Sequence, residues 1–420
     1  MNRNRPLIWL SMGLDLVGIL LIALLTGLPY FQNPTSSIQV NGLTIGCVFV
    51  ITGWFLGGYS FLSWPWLTYR QLMQRWLLVV VTTLAVTALI SVMRHGPPTA
   101  VWFQGKTLIV LGFTFSLWGL LMRSWLLPLA RRQASDFLAR SPLVNMHKWI
   151  ETPTEAGESS PQRQLLLLLV AYHPSAEEVE QLQACLRQLK PEAGYAVVVN
   201  DHQPGEPVEQ LLDRADYFLI NNDNPGYGRA INRLVVEVGP LPSHIGILNT
   251  DLTWPSGSFE KLMRWMQNNP DISLAVPQII DQGGSFQKLC KHNPTILGLL
   301  SRRFLPTRLK PKWLKRYDQW YVMADQNYQQ VFEAPYLSGC CMMIRSESFL
   351  HAGGFDERYF LYLEDADITR TLMREGRCVH LPIVEVVHNW GKGNYRNFGL
   401  MWVNLISAWH YFRKWGWKLW

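Results

Sequence analysis

Residues 353–369 read Gly-Gly-Phe-Asp-Glu-Arg-Tyr-Phe-Leu-Tyr-Leu-Glu-Asp-Ala-Asp-Ile-Thr and set two adjacent carboxylates, Glu364 and Asp365, behind a run of aromatic and aliphatic residues. The pair opens a segment, Asp365–Met373, whose pattern predicts a helix. Acids at a helix N-terminus meet unpaired backbone N–H groups and the positive end of the dipole, so the ionised form is favoured there. A carboxylate kept charged against an apolar wall is a usable general base. The plain alternative is that Glu364 and Asp365 only cap the helix, and the residues around them have to decide between the two.

The elements that would position these acids belong to a soluble α/β region starting at Gln164. Leu165–Ala171 is an unbroken apolar run of strand length, followed by a charged helical pattern over Ala176–Leu189. Further strands are predicted at Tyr195–Val199, Tyr217–Ile220, His244–Leu248, Asp271–Pro277 and Val384–Val387, with helices over Arg229–Val238 and Ser256–Gln267. Alternation of strand and helix predicts a mainly parallel sheet flanked by helices. Ligands of such sheets sit at the carboxyl ends of the strands. The polar turns fall there: Tyr172-His173-Pro174, Asn200-Asp201-His202, Asn249-Thr250-Asp251 and His388. A glycine-bearing loop, Asn224-Pro-Gly226-Tyr-Gly228-Arg-Ala-Ile-Asn232, leads into the third helix; its glycines let backbone come close to a ligand, and a helix N-terminus can face a diphosphate.

The 353–369 stretch resembles, almost residue for residue, the "GGFDE-x-[FY]-F-x-Y-x-ED-x-D" block of family 2 glycosyltransferases, the bacterial rhamnosyltransferase-like branch in particular. The 224–232 loop resembles that family's "N-x-G-[FY]-[GA]-x-[AG]-x-N" element, Asp271–Pro277 its "PD-x5-P" strand, and Leu337-Ser338-Gly339-Cys340 its "SG" turn. The resemblance implies the GT-A nucleotide-diphospho-sugar transferase fold. It places the acceptor-deprotonating base on Asp365, with Glu364 beside it and Asp367 in a supporting place. It assigns Tyr172, His173, Asp201, Asn224, Gly226, Gly228, Asn232 and Asn249 to the donor, and Ser338 and Gly339 to the acceptor side. Asp251, with His388, would hold a divalent cation, Mg²⁺ or Mn²⁺, since oxygen ligands suit those ions. Two departures stand out: His173 occupies a place usually held by Asn, and Asn249 replaces the first acid of the "[DN]-x-D" turn, removing one anionic ligand.

The 420 residues carry a net charge of +7, with no basic stripe attached to a nucleic-acid module, so nucleic acid is not an expected partner. The first 130 residues hold a single acid, Asp15, and contain four apolar stretches near the length of about 20 residues that crosses a bilayer. These are Leu7–Tyr30, Gly42–Trp64, Trp76–Met93 and Leu108–Leu129, and no cleavage pattern follows the first. Basic residues at the start, between the second and third stretches and after the fourth predict both ends on the cytoplasmic side. Asp15 would then lie in an interfacial or interhelical niche, and Arg123 would snorkel. The expected organisation is a four-helix transmembrane unit over 1–130, a linker over 131–163, a catalytic domain over 164–397 and a Trp-rich interfacial helix over 398–420. The basic and aromatic stretch Arg302–Tyr321 is expected at a membrane surface. Six scattered cysteines are expected to be reduced core residues.

Together these imply a membrane-anchored inverting glycosyltransferase at the bacterial inner membrane with a cytoplasmic catalytic domain. It would move a sugar from a nucleotide-sugar donor to a polyprenyl-diphosphate-linked saccharide in exopolysaccharide, capsule or O-antigen synthesis. Membrane lipids and other polysaccharide-assembly membrane proteins are the further partners this implies. Two alternatives stay open: a processive polysaccharide synthase, against which stands the missing Gln-x-x-Arg-Trp motif after the base, and an inactive scaffold that keeps the fold.

Overall fold

The computed structural model describes residues 5–25, 42–62, 69–95, 105–140, 163–389 and 398–420. They form two compact units, Met1–Phe137 with Trp409–Trp417, and Leu138–Ala408 with Lys418–Trp420.

The first unit holds helices α1 (Arg5–Leu25), α2 (Gly42–Phe55), α3 (Tyr69–His95) and most of α4 (Gly105–Arg140). Among the described residues no helix is long and apolar enough to cross a membrane, so the four expected spans are not supported. The second shows the reason most directly. Instead of running to Trp64, α2 stops at Phe55 after 14 residues, about 21 Å at 1.5 Å per residue against a hydrocarbon core of roughly 30 Å. Arg123 does not snorkel. It is fully buried and paired with the equally buried Asp15 at 3.1 Å, its guanidinium 3.8 Å from the Trp76 ring centre. Two buried charges are tolerated because each satisfies the other. Large apolar side chains face outward instead, Trp9, Ile51, Phe113 and Trp125 among them. The tail's Trp409 and Trp417 donate from Nε1 to Phe55 O and Leu56 O at 3.1 and 2.9 Å. The first ten residues of the expected linker continue α4 through Arg140; 141–162 lie outside the described residues.

The second unit is built on nine strands: β1 (Leu165–Ala171), β2 (Ala193–Asn200), β3 (Tyr217–Asn221), β4 (His244–Asn249), β5 (Leu252–Thr253), β6 (Ile272–Ile280), β7 (Phe332–Glu333), β8 (Cys341–Arg345) and β9 (Arg377–His388). The helices around them are α5 (Ala176–Leu186), α6 (Tyr227–Val238), α7 (Ser258–Gln267), α8 (Ile296–Phe304), α9 (Lys312–Tyr321), α10 (Ser346–His351) and α11 (Glu364–Leu372), with α12 (Phe398–Trp415) following. The sheet runs β3-β2-β1-β4-β8-β6-β9-β5, with β7 also on β9. Successive strand residues face opposite sides, which explains why β1 is apolar throughout. Leu165, Leu167 and Leu169 pack in one layer with Val179 and Leu182 of α5, while Leu166, Leu168 and Val170 pack in the other with Ile231, Leu234 and Val235 of α6. Each such side chain fully buried contributes about 1.5–3 kcal/mol.

The block β3-β2-β1-β4 is parallel, and β8 runs antiparallel to both β4 and β6. That reversal positions the site. An antiparallel strand begins where its parallel neighbour ends, so the turn before β8 arrives at the carboxyl end of β4, with Leu248 opposite Cys341 and Asn249 N donating to Cys340 O at 3.0 Å. In the same way β5 pairs antiparallel with β9, Leu252 opposite His388, which brings Asp251 alongside the end of β9.

Candidate active site

The acids at 364 and 365 occupy the first turn of α11, reached through two successive non-glycine residues in the left-handed region, Tyr362 (φ 68°) and Leu363 (φ 65°). Such residues cost on the order of 1–3 kcal/mol each and persist where the surroundings hold them. The twist separates the two carboxylates. Asp365 turns to the Ser338–Cys340 turn: its Oδ2 accepts from Gly339 N at 3.1 Å and its Oδ1 from Ala366 N at 2.9 Å. Glu364 goes inward, is 8% exposed, and leaves Oε2 with no partner. Burial, reinforced by the Asp365 charge, pushes its pKa up to about 8. The expectation that the helix terminus keeps both acids ionised is therefore corrected for Glu364, where desolvation outweighs the dipole. Asp367 is buried and accepts from the Tyr359 hydroxyl at 3.3 Å, turned away from the turn that holds Asp365.

The 224–232 loop approaches another segment of the chain closely. Gly226 has φ 90°, and a Cβ there would lie 2.3 Å from Phe360 O; one at Gly228 would lie 2.7 Å from Phe355 Cβ. Tyr227 N donates to Phe360 O at 3.0 Å. Asn232 is buried and pairs with Phe355, donating to its carbonyl at 2.8 Å and accepting from its N–H at 2.9 Å, and also donates to Glu357 Oε1 at 3.4 Å. Asn224 Oδ1 accepts from Gly226 N at 3.0 Å. Gly226, Tyr227, Gly228 and Asn232 thus pack tightly against the 353–365 block. The Tyr227 hydroxyl donates to Gly339 O at 3.2 Å, completing a frame around Asp365 from both sides.

At the ends of β1 and β2 the geometry is open. Tyr172 is 55% exposed and its ring lies 4.5 Å from that of His173. His173 Nε2 is 3.3 Å from Asp201 Oδ2, and Nδ1 contacts Glu206 Oε1. The hydrogen bond His173 donates to Glu206 raises the His173 pKa, and His173 in turn lowers that of Glu206. Both His173 (φ 46°) and Asp201 (φ 55°) sit in the left-handed region.

Asp251 and His388 meet as the register demands. His388 Nε2 is 3.2 Å from Asp251 Oδ2, and Asn389 N donates to Asp251 O at 2.9 Å. Gln287 grips the histidine, its Oε1 3.2 Å from Nδ1 and its Nε2 3.3 Å from the backbone carbonyl. With Nδ1 donating to Gln287, Nε2 is the ring nitrogen turned toward the carboxylate. Asp251 Oδ1 is buried without a partner. An orphaned carboxylate oxygen beside an oriented imidazole suits a divalent cation. Among the described residues no group of three or more His, Cys, Asp or Glu could hold a metal, so the remaining ligands would be phosphate oxygens and water, the usual arrangement for Mg²⁺. Asn249 stands at the end of β4, half-buried, one residue before Thr250-Asp251.

Sequence reasoning missed Glu206 and Gln287. Neither belongs to a motif, and each reaches the site only through long-range pairing; Tyr227 was legible as the aromatic of its loop. The basic stretch 302–321 is also partly structural, since Lys310 is buried against Asp318 and Trp320 stacks on His292 at 4.2 Å.

No protein-family model matches the sequence. The chain is 31% identical over 184 residues to the N-acetylglucosaminyl-diphospho-decaprenol L-rhamnosyltransferase of two Mycobacterium tuberculosis strains, covering 41% of this chain and 58% of the relative's length. Among solved structures it resembles GalNAc-T7 with UDP, GalNAc and Mn²⁺ (TM-score 0.40, 12% identity, 55% of this chain and 45% of that one). It also resembles the Pyrobaculum calidifontis mannosyltransferase PcManGT with GDP-Man and Mn²⁺ (0.38, 15%, 62% and 68%) and S. aureus TarS (0.36, 13%, 54% and 60%).

Proposed function

We propose that this protein is an inverting glycosyltransferase that moves a sugar from a nucleotide-sugar donor to a hydroxyl of a polyprenyl-diphosphate-linked saccharide. The observation that carries the reading is the setting of Asp365, a carboxylate held by two backbone N–H groups on the turn that also touches the end of β4. In the reaction, Asp365 takes the acceptor hydroxyl's proton as that oxygen bonds to the anomeric carbon. The bond from that carbon to the diphosphate breaks, its electrons leaving with the nucleoside diphosphate, and the single displacement inverts the centre. Asp251 and His388 would hold Mg²⁺ or Mn²⁺, which when bound neutralises charge on the departing diphosphate. Asn249 and the exposed Tyr172, His173 and Asp201 form the donor rim; Ser338 and Gly339 line the acceptor side.

The mycobacterial relative's name supports an L-rhamnosyl donor and an N-acetylglucosaminyl-diphospho-lipid acceptor; assembly of an exopolysaccharide, capsule or O-antigen is the setting proposed for that product. Work at the bacterial plasma membrane, with the catalytic unit on the cytoplasmic side, is the setting we propose; it draws on the first unit's exposed large apolar side chains and its buried Asp15–Arg123 pair. The test is a screen of nucleotide sugars with purified full-length protein, a lipid-diphosphate N-acetylglucosamine acceptor and Mn²⁺, reading nucleoside diphosphate release and glycolipid product. Acceptor-dependent release with one donor is expected; no release with any donor would overturn the reading.

A further inference from the structure

Lys291 lies between β6 and α8, outside every motif. It pairs with Tyr336 as an antiparallel bridge, its N–H donating to Tyr336 O at 2.9 Å, and its ammonium sits 4.3 Å from the centre of the Tyr336 ring. Tyr336 is 6% exposed and its side chain touches the Asp365 carboxylate, so about one aromatic ring separates Lys291 from the base. Among the described residues no Asp or Glu forms an ion pair with Lys291. Loss of water lowers the pKa of its ammonium, and the charges acting on it most strongly are Asp365, which holds it up, and Arg302 of α8, which pushes it down. A half-buried cation without a counter-ion is unfavourable unless an anion completes it.

We infer that Lys291 receives a phosphate oxygen of the acceptor, so that the site selects a sugar carrying a diphosphate at its anomeric carbon over the same sugar on a neutral aglycone. This rests on the transferase reading above. The attacking hydroxyl and the diphosphate are substituents of one sugar ring, so a cation one ring away from the base is where that diphosphate falls. The donor's diphosphate is the other source of the same chemistry, and it belongs with Asp251 and His388. Lysine meets phosphate as a point charge, so arginine at this position should serve partly.

The test compares two acceptors, an alkyl diphosphate N-acetylglucosamine and the alkyl N-acetylglucosaminide without phosphate, on the wild type, Lys291→Met and Lys291→Arg, all full-length. The wild type is expected to show a KM at least tenfold lower for the diphosphate. Lys291→Met should erase that difference, with the neutral acceptor's KM and the affinity for nucleoside diphosphate with Mn²⁺ within twofold of wild type, and Lys291→Arg should restore part of it. An equal fall in kcat with both acceptors would make Lys291 a tuner of Asp365 and overturn the proposal. Weakened nucleoside diphosphate binding with the acceptor preference intact would move it to the donor and overturn it as well. Should no donor support turnover, the transferase reading fails separately. Calorimetric binding of the alkyl diphosphate N-acetylglucosamine to wild type and Lys291→Met then decides on Lys291 alone, and a second variant, Lys291→Gln, serves if the methionine does not fold.

Discussion

At the start of α11 each carboxylate oxygen of Asp365 is held by a backbone N–H, and the segment before it is wedged against Gly226, Gly228 and Asn232. At the ends of β1 and β2, by contrast, His173, Asp201 and Glu206 hold chiefly one another, and the imidazole and the Asp201 carboxylate are more than a third exposed. One wall of the site is fixed before any substrate arrives; the other is a set of side chains free to exchange partners. Fixed geometry suits the group that moves a proton, since a small misplacement there is costly in rate. Exchangeable polar groups suit recognition of a nucleoside, where their present partners are replaced by the ligand's.

The largest effect should come from the fixed wall. Asp365→Asn is expected to lower kcat by about 10³-fold, within the range for loss of a general base, with nucleoside diphosphate affinity unchanged by calorimetry. Comparable loss from His173→Ala would erase the contrast between wall and rim. Asp251→Asn should come next, at about 10–100-fold in kcat with a raised Mn²⁺ requirement, measured by metal titration.

Two glycines with similar φ separate the walls in stability. Gly226→Ala forces a Cβ to 2.3 Å from Phe360 O and should destabilise by about 2–4 kcal/mol. Gly205→Ala, on the rim with φ 87° and nothing within 4 Å, should cost only about 1 kcal/mol of backbone strain. Denaturant melts of both variants check this, and equal losses would contradict it. Glu364→Gln tests the buried acid through pH. A carboxyl whose folded pKa is raised binds more protons folded than unfolded, so stability is intact below about 4.5 and declines as pH rises toward 8. The variant should lack that decline, melting above wild type at pH 8.5 and level with it at pH 4.5.

Much of the second unit was legible because its signals are local. An unbroken apolar β1 announces a strand covered on both faces, and Ser175 with Glu178 forms the capping box that starts α5. The positions of Asp251, His388 and Asp365 at strand and helix ends followed from the same alternation. What failed was whatever depended on a distant partner. Glycine in the 224–232 loop signals close approach, but not of what, and only the folded chain shows Phe360 and Phe355 against it. Arg123 reads as a snorkelling residue until Asp15, 108 positions away, is known to face it. Apolar length alone suggested a second span, and only the folded chain reveals that α2 ends at Phe55.

The wedging of Gly226 against Phe360 also bears on how such proteins can be rebuilt. Segments 224–232 and 353–365 are neighbours in space with more than a hundred residues between them in the chain, joined by a paired amide at Asn232 and a forbidden side chain at Gly226. Neither can be exchanged for a homologous piece alone without breaking the fit of the other. A chimera intended to acquire a new sugar preference would have to transplant both as a matched cassette, leaving the strands between them untouched.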